Sequence, residues 1–338
     1  MEWKTRITEL FGCKYPILQG ALSNFGYPEL AAAVSNAGGH GVITAGAYRT
    51  PEQLRQAIRR YHELSSEPFS VNISLTHCKD EEGMLKVVLD EDVPVLETAV
   101  YVADSFGKRA HDAGRKWIHK VATVKHAQHV QEAGADAVII VGLEGIGKKN
   151  IEQLPTMTTM FWAKKFIHIP LVIAGGIGDA RGFLGALAMG ADGIMMGTRF
   201  MATKECVLAE RHKQNMIKMT PDNPYLKHRC LSMPDPKAYN ELVKLREQGM
   251  PMHEWIPKAT ALFLKEEKWW QAEYKGPEDS GEELEMMSQL WSLAVATIDD
   301  IPTCKELIAR IVKEAEEMLD SFEWLKSWMA DKAKHAAT

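Results

Sequence analysis

Eight short apolar runs, most of them rich in β-branched residues, recur at 15–19, 42–44, 69–73, 93–97, 117–121, 137–141, 170–174 and 193–196. Runs this short, with little polar alternation, suit strands buried on both faces, and such strands belong to parallel sheets. Between them lie stretches with helical spacing, among them 28–37, 51–64 and 180–189. Thr50 and Pro51 supply an N-cap and a first-turn proline for the second of these, Asp179 caps the third, and Gly190 stops it. Strand-helix alternation of this regularity predicts an α/β fold. Eight strands with short turns favour a closed (β/α)8 TIM barrel over an open doubly wound sheet.

The pattern changes after Met201. From 204 to 283 the chain is rich in Lys, Glu, Met, Pro and Trp and has helical pieces without strand alternation. The expected division is a barrel over 1–205, a helical lid on the substrate side over 206–290, and a segment over 291–338 whose helix closes the barrel. Met233, Met250, Met252, Trp255, Trp269 and Trp270 can line an apolar pocket or form an ordinary helical core. A last helix is predicted over 303–328, where Leu307, Ile308, Ile311, Val312, Ala315 and Leu319 share one face. That face packs on the barrel or, in a homo-oligomer, on a partner subunit.

Composition narrows the chemistry. The 338 residues accommodate a barrel of about 250 residues and one addition. A net charge of -5 supplies no basic field for nucleic acid or an anionic membrane, which leaves small-molecule chemistry. Cys13, Cys78, Cys206, Cys230 and Cys304 are scattered without a CxxC pair, a usage expected of a reducing cytosol rather than a disulfide frame or zinc ribbon. The charged opening MEWKTRITELFG lacks an apolar signal core and no run reaches transmembrane length, so the expected location is cytoplasmic.

The last two predicted strands each finish in glycine, at Ala174-Gly175-Gly176 and at Met196-Gly197-Thr198. Backbone N–H groups there, a helix N-terminus and the Thr198 hydroxyl can cradle a phosphate dianion, and barrels commonly carry such a site on these strands. The alternative is a pair of tight turns. Asn72 is an amide within an apolar strand, and Lys120 places a charge near a strand end, where it needs an anion or another partner. Strand alternation sends His119 to the face opposite Lys120. His77 follows the third strand, at the end where barrels assemble their sites, while His40 lies at the other end. After the sixth strand comes the loop from Gly142 to Asn150, with Glu144, Lys148 and Lys149. Its lysines are either solvated or suited to a carboxylate, an enolate or a coenzyme A phosphate. Glu144 can orient a loop lysine or carry a proton. Glu205 is expected to anchor the turn after the eighth strand, and Arg199 to lend charge near the phosphate or pair with an acidic side chain.

AGGIGDARGFLGALAMGADGIMMGTRFMAT and KYPILQGALSNFGYPELAAAVSNAGGHGVITAG resemble segments of the nitronate monooxygenase family, formerly called 2-nitropropane dioxygenases, which includes FMN-dependent enoyl reductases. The resemblance covers roughly residues 7 to 205. It implies a TIM barrel whose FMN phosphate is held by Ala174, Gly175, Gly176, Met196, Gly197 and Thr198. It brings Gly20, Ala21, Leu22, Asn72, Lys120 and Gly142 to the flavin, with Leu22 standing where methionine is usual. The family's loop pattern, Gly-Phe-Glu-Cys/Ala-Ala/Gly-Gly-His, aligns here on Gly142, Glu144 and Gly147, so its proton-abstracting histidine falls on Lys148. Lysine, near pKa 10.4, is no base at neutral pH unless desolvated or beside other cations. The resemblance therefore leaves Lys148, His77 and Glu144 as catalytic candidates. It implies oxidation of nitronates, with an NAD(P)H-dependent flavin reductase of enoyl thioesters or quinones as the alternative, and the altered histidine position leaves a third reading, a barrel subunit of a complex that has lost catalysis.

Overall fold

Each predicted run becomes a strand in the computed structural model, which describes residues 2–22, 25–75, 78–147, 149–233, 235–263 and 291–322. The strands are β1 (Ile17–Gln19), β2 (Gly41–Thr44), β3 (Phe69–Ser74), β4 (Val95–Ala99), β5 (Lys116–Val121), β6 (Ala137–Val141), β7 (Leu171–Ala174) and β8 (Gly193–Met196). All pair in parallel in the order β1-β8-β7-β6-β5-β4-β3-β2, and a bridge between Leu18 and His40 joins the two ends of the sheet. The fold is a TIM barrel. β4 begins two residues later than the apolar run because Pro94 has no N–H to give, and its carbonyl instead receives the Lys116 N–H at 3.0 Å.

The helices are α1 (Arg6–Phe11), α2 (Pro28–Asn36), α3 (Pro51–Leu64), α4 (Glu81–Asp90), α5 (Asp104–Asp112), α6 (Val124–Glu132), α7 (Thr156–Ala163) and α8 (Ala180–Ala188), followed by α9 (Thr198–Met201), α10 (Glu210–Lys218), α11 (Pro224–Leu231), α12 (Pro236–Glu247), α13 (Met252–Phe263) and α14 (Cys304–Ser321). Thr50 and Gln53 form a capping box at α3, and the Asp179 side chain accepts the Gly182 N–H at α8, as their positions predict. Met189 is the C-cap of α8, and Gly190 follows it at φ 99°. The far end of the last predicted helix lies outside the described residues.

Two apolar layers result. Helices pack on the outside of the sheet, while Leu18, Val95, Ile118, Ile139, Val172 and Met195 fill the barrel together with Ile7 and Phe11 of α1. Helix α1 plugs the amino-terminal end: Phe11 stacks on His40 with ring centroids 4.7 Å apart, and Arg6 bonds Asp192 just ahead of β8. At the other end, Tyr239 of α12 accepts a hydrogen bond from Asn150 at 3.1 Å, and the Trp255 ring of α13 lies 6.1 Å from Tyr101. These helices thus reach the loops after β4 and β6. Met233, Met250, Met252 and Trp255 are half-buried, and Trp269 and Trp270 lie outside the described residues. Helix α14 packs against α8 and α2. All five cysteines are free and buried. No helix among the described residues is long and apolar enough to cross a membrane.

Candidate functional site

Strand alternation delivers polar side chains to the carboxyl end of the barrel interior. Asn72 on β3, Glu97 on β4 and Lys120 on β5 meet there: the Asn72 Nδ2 and the Lys120 Nζ each donate to Glu97 Oε1 at 2.8 Å. Ser74 Oγ donates to Asn72 Oδ1 at 2.9 Å. Asn72 and Glu97 are buried and Lys120 is half-buried. A lysine and an amide that invite a ligand are thus also tied to each other through a carboxylate.

His119 points the other way, out of the barrel. Its Nδ1 lies 2.6 Å from Thr98 Oγ1, which accepts the Trp117 Nε1–H at 2.7 Å. Burial pushes its imidazole down to about 3, so it stays neutral. His40 is 2.6 Å from Ser70 Oγ at the plugged end of the barrel, and burial likewise lowers it to about 3. His77 and Lys148 lie outside the described residues.

The glycine turns gather on the opposite side of the mouth. Gly175 and Gly176 take φ 108° and 73°, values that disfavour any residue with a Cβ. A Cβ on Gly20 would lie 3.1 Å from the Gly197 Cα, so the turns after β1 and β8 touch backbone to backbone. Leu22 lies beside Gly197, and the buried Ala21 carbonyl accepts the Thr44 hydroxyl. Ala174 and Met196 are buried strand ends leading into these turns. Thr198 Oγ1 accepts the Ser292 N–H at 3.0 Å, leaving its own hydrogen to donate. Bare backbone at the ends of β1, β7 and β8 is what close approach of a phosphate to N–H groups requires. On this ground the residues present fit a phosphate-bearing cofactor.

The loop after β6 folds around its second lysine. Lys149 is buried, and its Nζ donates to the Leu143 carbonyl at 2.7 Å and the Gly145 carbonyl at 2.6 Å. Burial pulls its ammonium down to about 8, against the opposing influence of Cys230 and Glu144. Glu144 Oε2 accepts the Thr156 N–H at 2.7 Å and the Thr156 hydroxyl at 2.8 Å, at the start of α7, where a carboxylate is favoured. Gly142 donates to the Ala174 carbonyl at 2.8 Å and has no room for a Cβ beside Thr156.

Local sequence patterns pass over the return of the chain to this site. The Leu293 N–H donates to the Glu144 carbonyl at 3.1 Å, so the segment that reaches Thr198 through Ser292 also reaches the β6 loop. Arg199 is buried and gives Nη2 to the carbonyl and to Oδ1 of Asp300, both at 3.1 Å, and Asp300 in turn pairs with Arg310 of α14. Glu205 accepts the Cys304 N–H with both carboxylate oxygens at 3.0 Å, at the first residue of α14. Contacts at such separation leave no short-range periodicity to read, whereas Glu97 carries the same signal as Asn72 and Lys120, a polar side chain in an apolar strand run.

A family model described as nitronate monooxygenase matches residues 4–83 and 76–314. The chain is 29% identical to a "(3aS,4S,5R,7aS)-5-hydroxy-7a-methyl-1-oxo-octahydro-1H-indene-4-carboxyl-CoA dehydrogenase" of Rhodococcus jostii, over 96% of this chain and 99% of that protein. It is 25% identical to a probable nitronate monooxygenase of Staphylococcus saprophyticus, over 95% of this chain and all of that one (100%). The structure of FabK from Thermotoga maritima superposes with a TM-score of 0.75 at 27% identity, covering 95% of this chain and 99% of that chain.

Proposed function

The chain belongs to the nitronate monooxygenase family of oxidoreductases, and from that premise we propose an FMN-dependent enzyme whose cofactor phosphate sits in the glycine turns after β1, β7 and β8. The observation that carries this reading is the bare backbone at Gly20, Gly175, Gly176 and Gly197, two of them at positive φ and a third without room for a Cβ. Ala174, Met196 and Thr198 complete the cradle. From the cradle, Gly20 leads into Ala21 and Leu22, which with Gly142 approach the ring, with Asn72 and Lys120 across the mouth. FMN, when bound, supplies a two-electron acceptor or donor beside the substrate carbon.

The residues of the chain then do three things. The lysine and amide of the Asn72–Glu97–Lys120 group present donors to the cofactor face. The β6 loop is held by Lys149 from within and by Glu144 at α7, and it includes Lys148, which aligns with the family's histidine. Helices α12 and α13 touch the loops after β4 and β6 through Tyr239 and Trp255, and their role in this reading is to cover the substrate side of the mouth.

For the substrate we propose an acyl thioester of coenzyme A, with NAD(P)H as the alternative hydride source when the thioester is to be reduced. Support comes from the end-to-end similarity to a relative named as a carboxyl-CoA dehydrogenase. Nitronate oxidation is the second reading, favoured by the names of the staphylococcal relatives. The named relatives are enzymes, and a barrel without catalysis has no support among them.

Anaerobic absorbance spectra of the FMN-supplemented full chain separate these readings. Bleaching of a bound flavin band by an acyl-CoA, or bleaching by NADPH with recovery on adding an enoyl-CoA, supports the thioester reading. A band that responds only to a nitronate supports the second. Failure to bind FMN sinks both.

A further inference from the structure

The carboxylate between Asn72 and Lys120 has no place in the roles above. Glu97 is 1% exposed, lies in the barrel interior above Val95 and Ile118, and gives one oxygen to two donors. β3 and β4 pair Asn72 directly with Glu97, and β4 and β5 pair Ala99 with Lys120, so the ammonium stands one step nearer the mouth than the carboxylate beneath it. An isolated carboxylate so placed costs several kcal/mol. It is tolerated because a full positive charge meets it.

The same pairing acts on Lys120. An ammonium bonded to a buried carboxylate is fixed in direction and its charge is largely cancelled at the site. We propose that Glu97 is a positioning residue that holds Lys120 and Asn72 as one unit and, through its negative charge, limits how strongly this face of the barrel favours reduced over oxidised FMN. The proposal rests on the FMN reading. Reduction by two electrons adds negative charge to the flavin, so an uncompensated Lys120 favours the reduced form and Glu97 opposes that preference.

Glu97→Gln separates charge from geometry. The Gln oxygen can still accept from Asn72 and from Lys120, so the hydrogen bonds and the fold are kept while the charge is lost. The measurement is the reduction potential of FMN bound to the full chain, together with FMN affinity and a thermal melt of each variant. Expected is at least a tenfold rise in preference for reduced FMN in E97Q, which for a two-electron couple is about 30 mV. Lys120→Met is expected to move the preference by a similar factor the other way, and it decides the matter should E97Q fail to fold. The double variant is expected to return close to wild type. An E97Q protein that binds FMN at the wild-type potential, or a K120M protein that does so, overturns the proposal. Wild-type protein that takes up no FMN overturns the cofactor reading, and the proposal with it.

Discussion

Lys149 belongs to a lysine pair in a loop, a pattern that ordinarily means solvent, yet its ammonium is shut among the Leu143 and Gly145 carbonyls. Its direction is not legible in the sequence, because either lysine of a pair can turn inward and the choice depends on the chain around it. The consequence is a pH dependence. With its folded pKa down at about 8 and an unfolded value near 10.4, the folded chain releases this proton between those limits while the unfolded chain keeps it. The unfolded state then binds more protons, and stability rises with pH. Relative to Lys149→Met, the wild type is therefore expected to gain thermal stability as pH rises from 8 to 10; a constant difference in melting temperature across that range contradicts this. Gly20 is a second residue whose role depends on a partner far along the chain, since a Cβ there meets the Gly197 Cα at 3.1 Å. One backbone must yield, at about 1–3 kcal/mol for an overpacked site. Gly20→Ala is expected to weaken FMN binding roughly tenfold or more, as about 1.4 kcal/mol of lost binding would; FMN titration monitored by fluorescence quenching gives the number, and unchanged affinity argues against this turn as part of the cradle.

At the scale of elements, the strands could be read because a strand covered on both faces is apolar throughout, as in Ala137–Val141, and the helices because Thr50 and Asp179 mark their starts with side chains that accept N–H groups. Helix α1 was not readable. It has six residues, three of them Arg6, Glu9 and Leu10 turned at least partly outward, and its Ile7 and Phe11 make sense only as a plug for a barrel assembled from residues up to 196. Phe11→Ala is expected to cost about 3–5 kcal/mol, because the buried ring fills the closed end and stacks on His40. Denaturant unfolding of the two proteins checks it, and a loss below 1 kcal/mol would show the plug to be dispensable. Gly185 in α8 offers the opposite case. No atom of the described residues lies within 4 Å of a Cβ placed there, so Gly185→Ala is expected to stabilise by about 0.5–1 kcal/mol through the restricted unfolded chain while leaving FMN affinity unchanged.

Over the whole molecule, the carboxyl-terminal segment ties the proposed phosphate turns to the outside of the barrel. Ser292 reaches Thr198, Leu293 reaches Glu144, and Asp300 sits between Arg199, the residue after Thr198, and Arg310 of α14. Arg199 is 1% exposed, with Nε and Nη1 lacking partners among the described residues, and Asp300 is the carboxylate that pairs with its buried charge there. Burial pulls the Arg199 guanidinium below its ordinary range, while the hydrogen bond from Arg310 holds the Asp300 carboxylate below its own. A carboxylate with a depressed folded pKa adds stability that is present above its unfolded value and is lost as pH falls through the folded one. Asp300→Asn keeps the backbone carbonyl and an amide oxygen for Arg199 but withdraws the charge. Its cost is expected to be on the order of 2 kcal/mol, the scale of hydrogen bonds to charged groups, and to shrink as the medium is acidified below the unfolded carboxylate's value of about 3.9 and on through the lower folded value of Asp300. Because the same segment bonds Thr198, the variant is also expected to release FMN faster. Stopped-flow dissociation of the flavin, set beside melts at pH 7 and in acid, tests both parts together. A variant destabilised equally at the two pH values contradicts the charge argument, and one destabilised at pH 7 with unchanged flavin release shows that α14 and the phosphate turns are not mechanically joined.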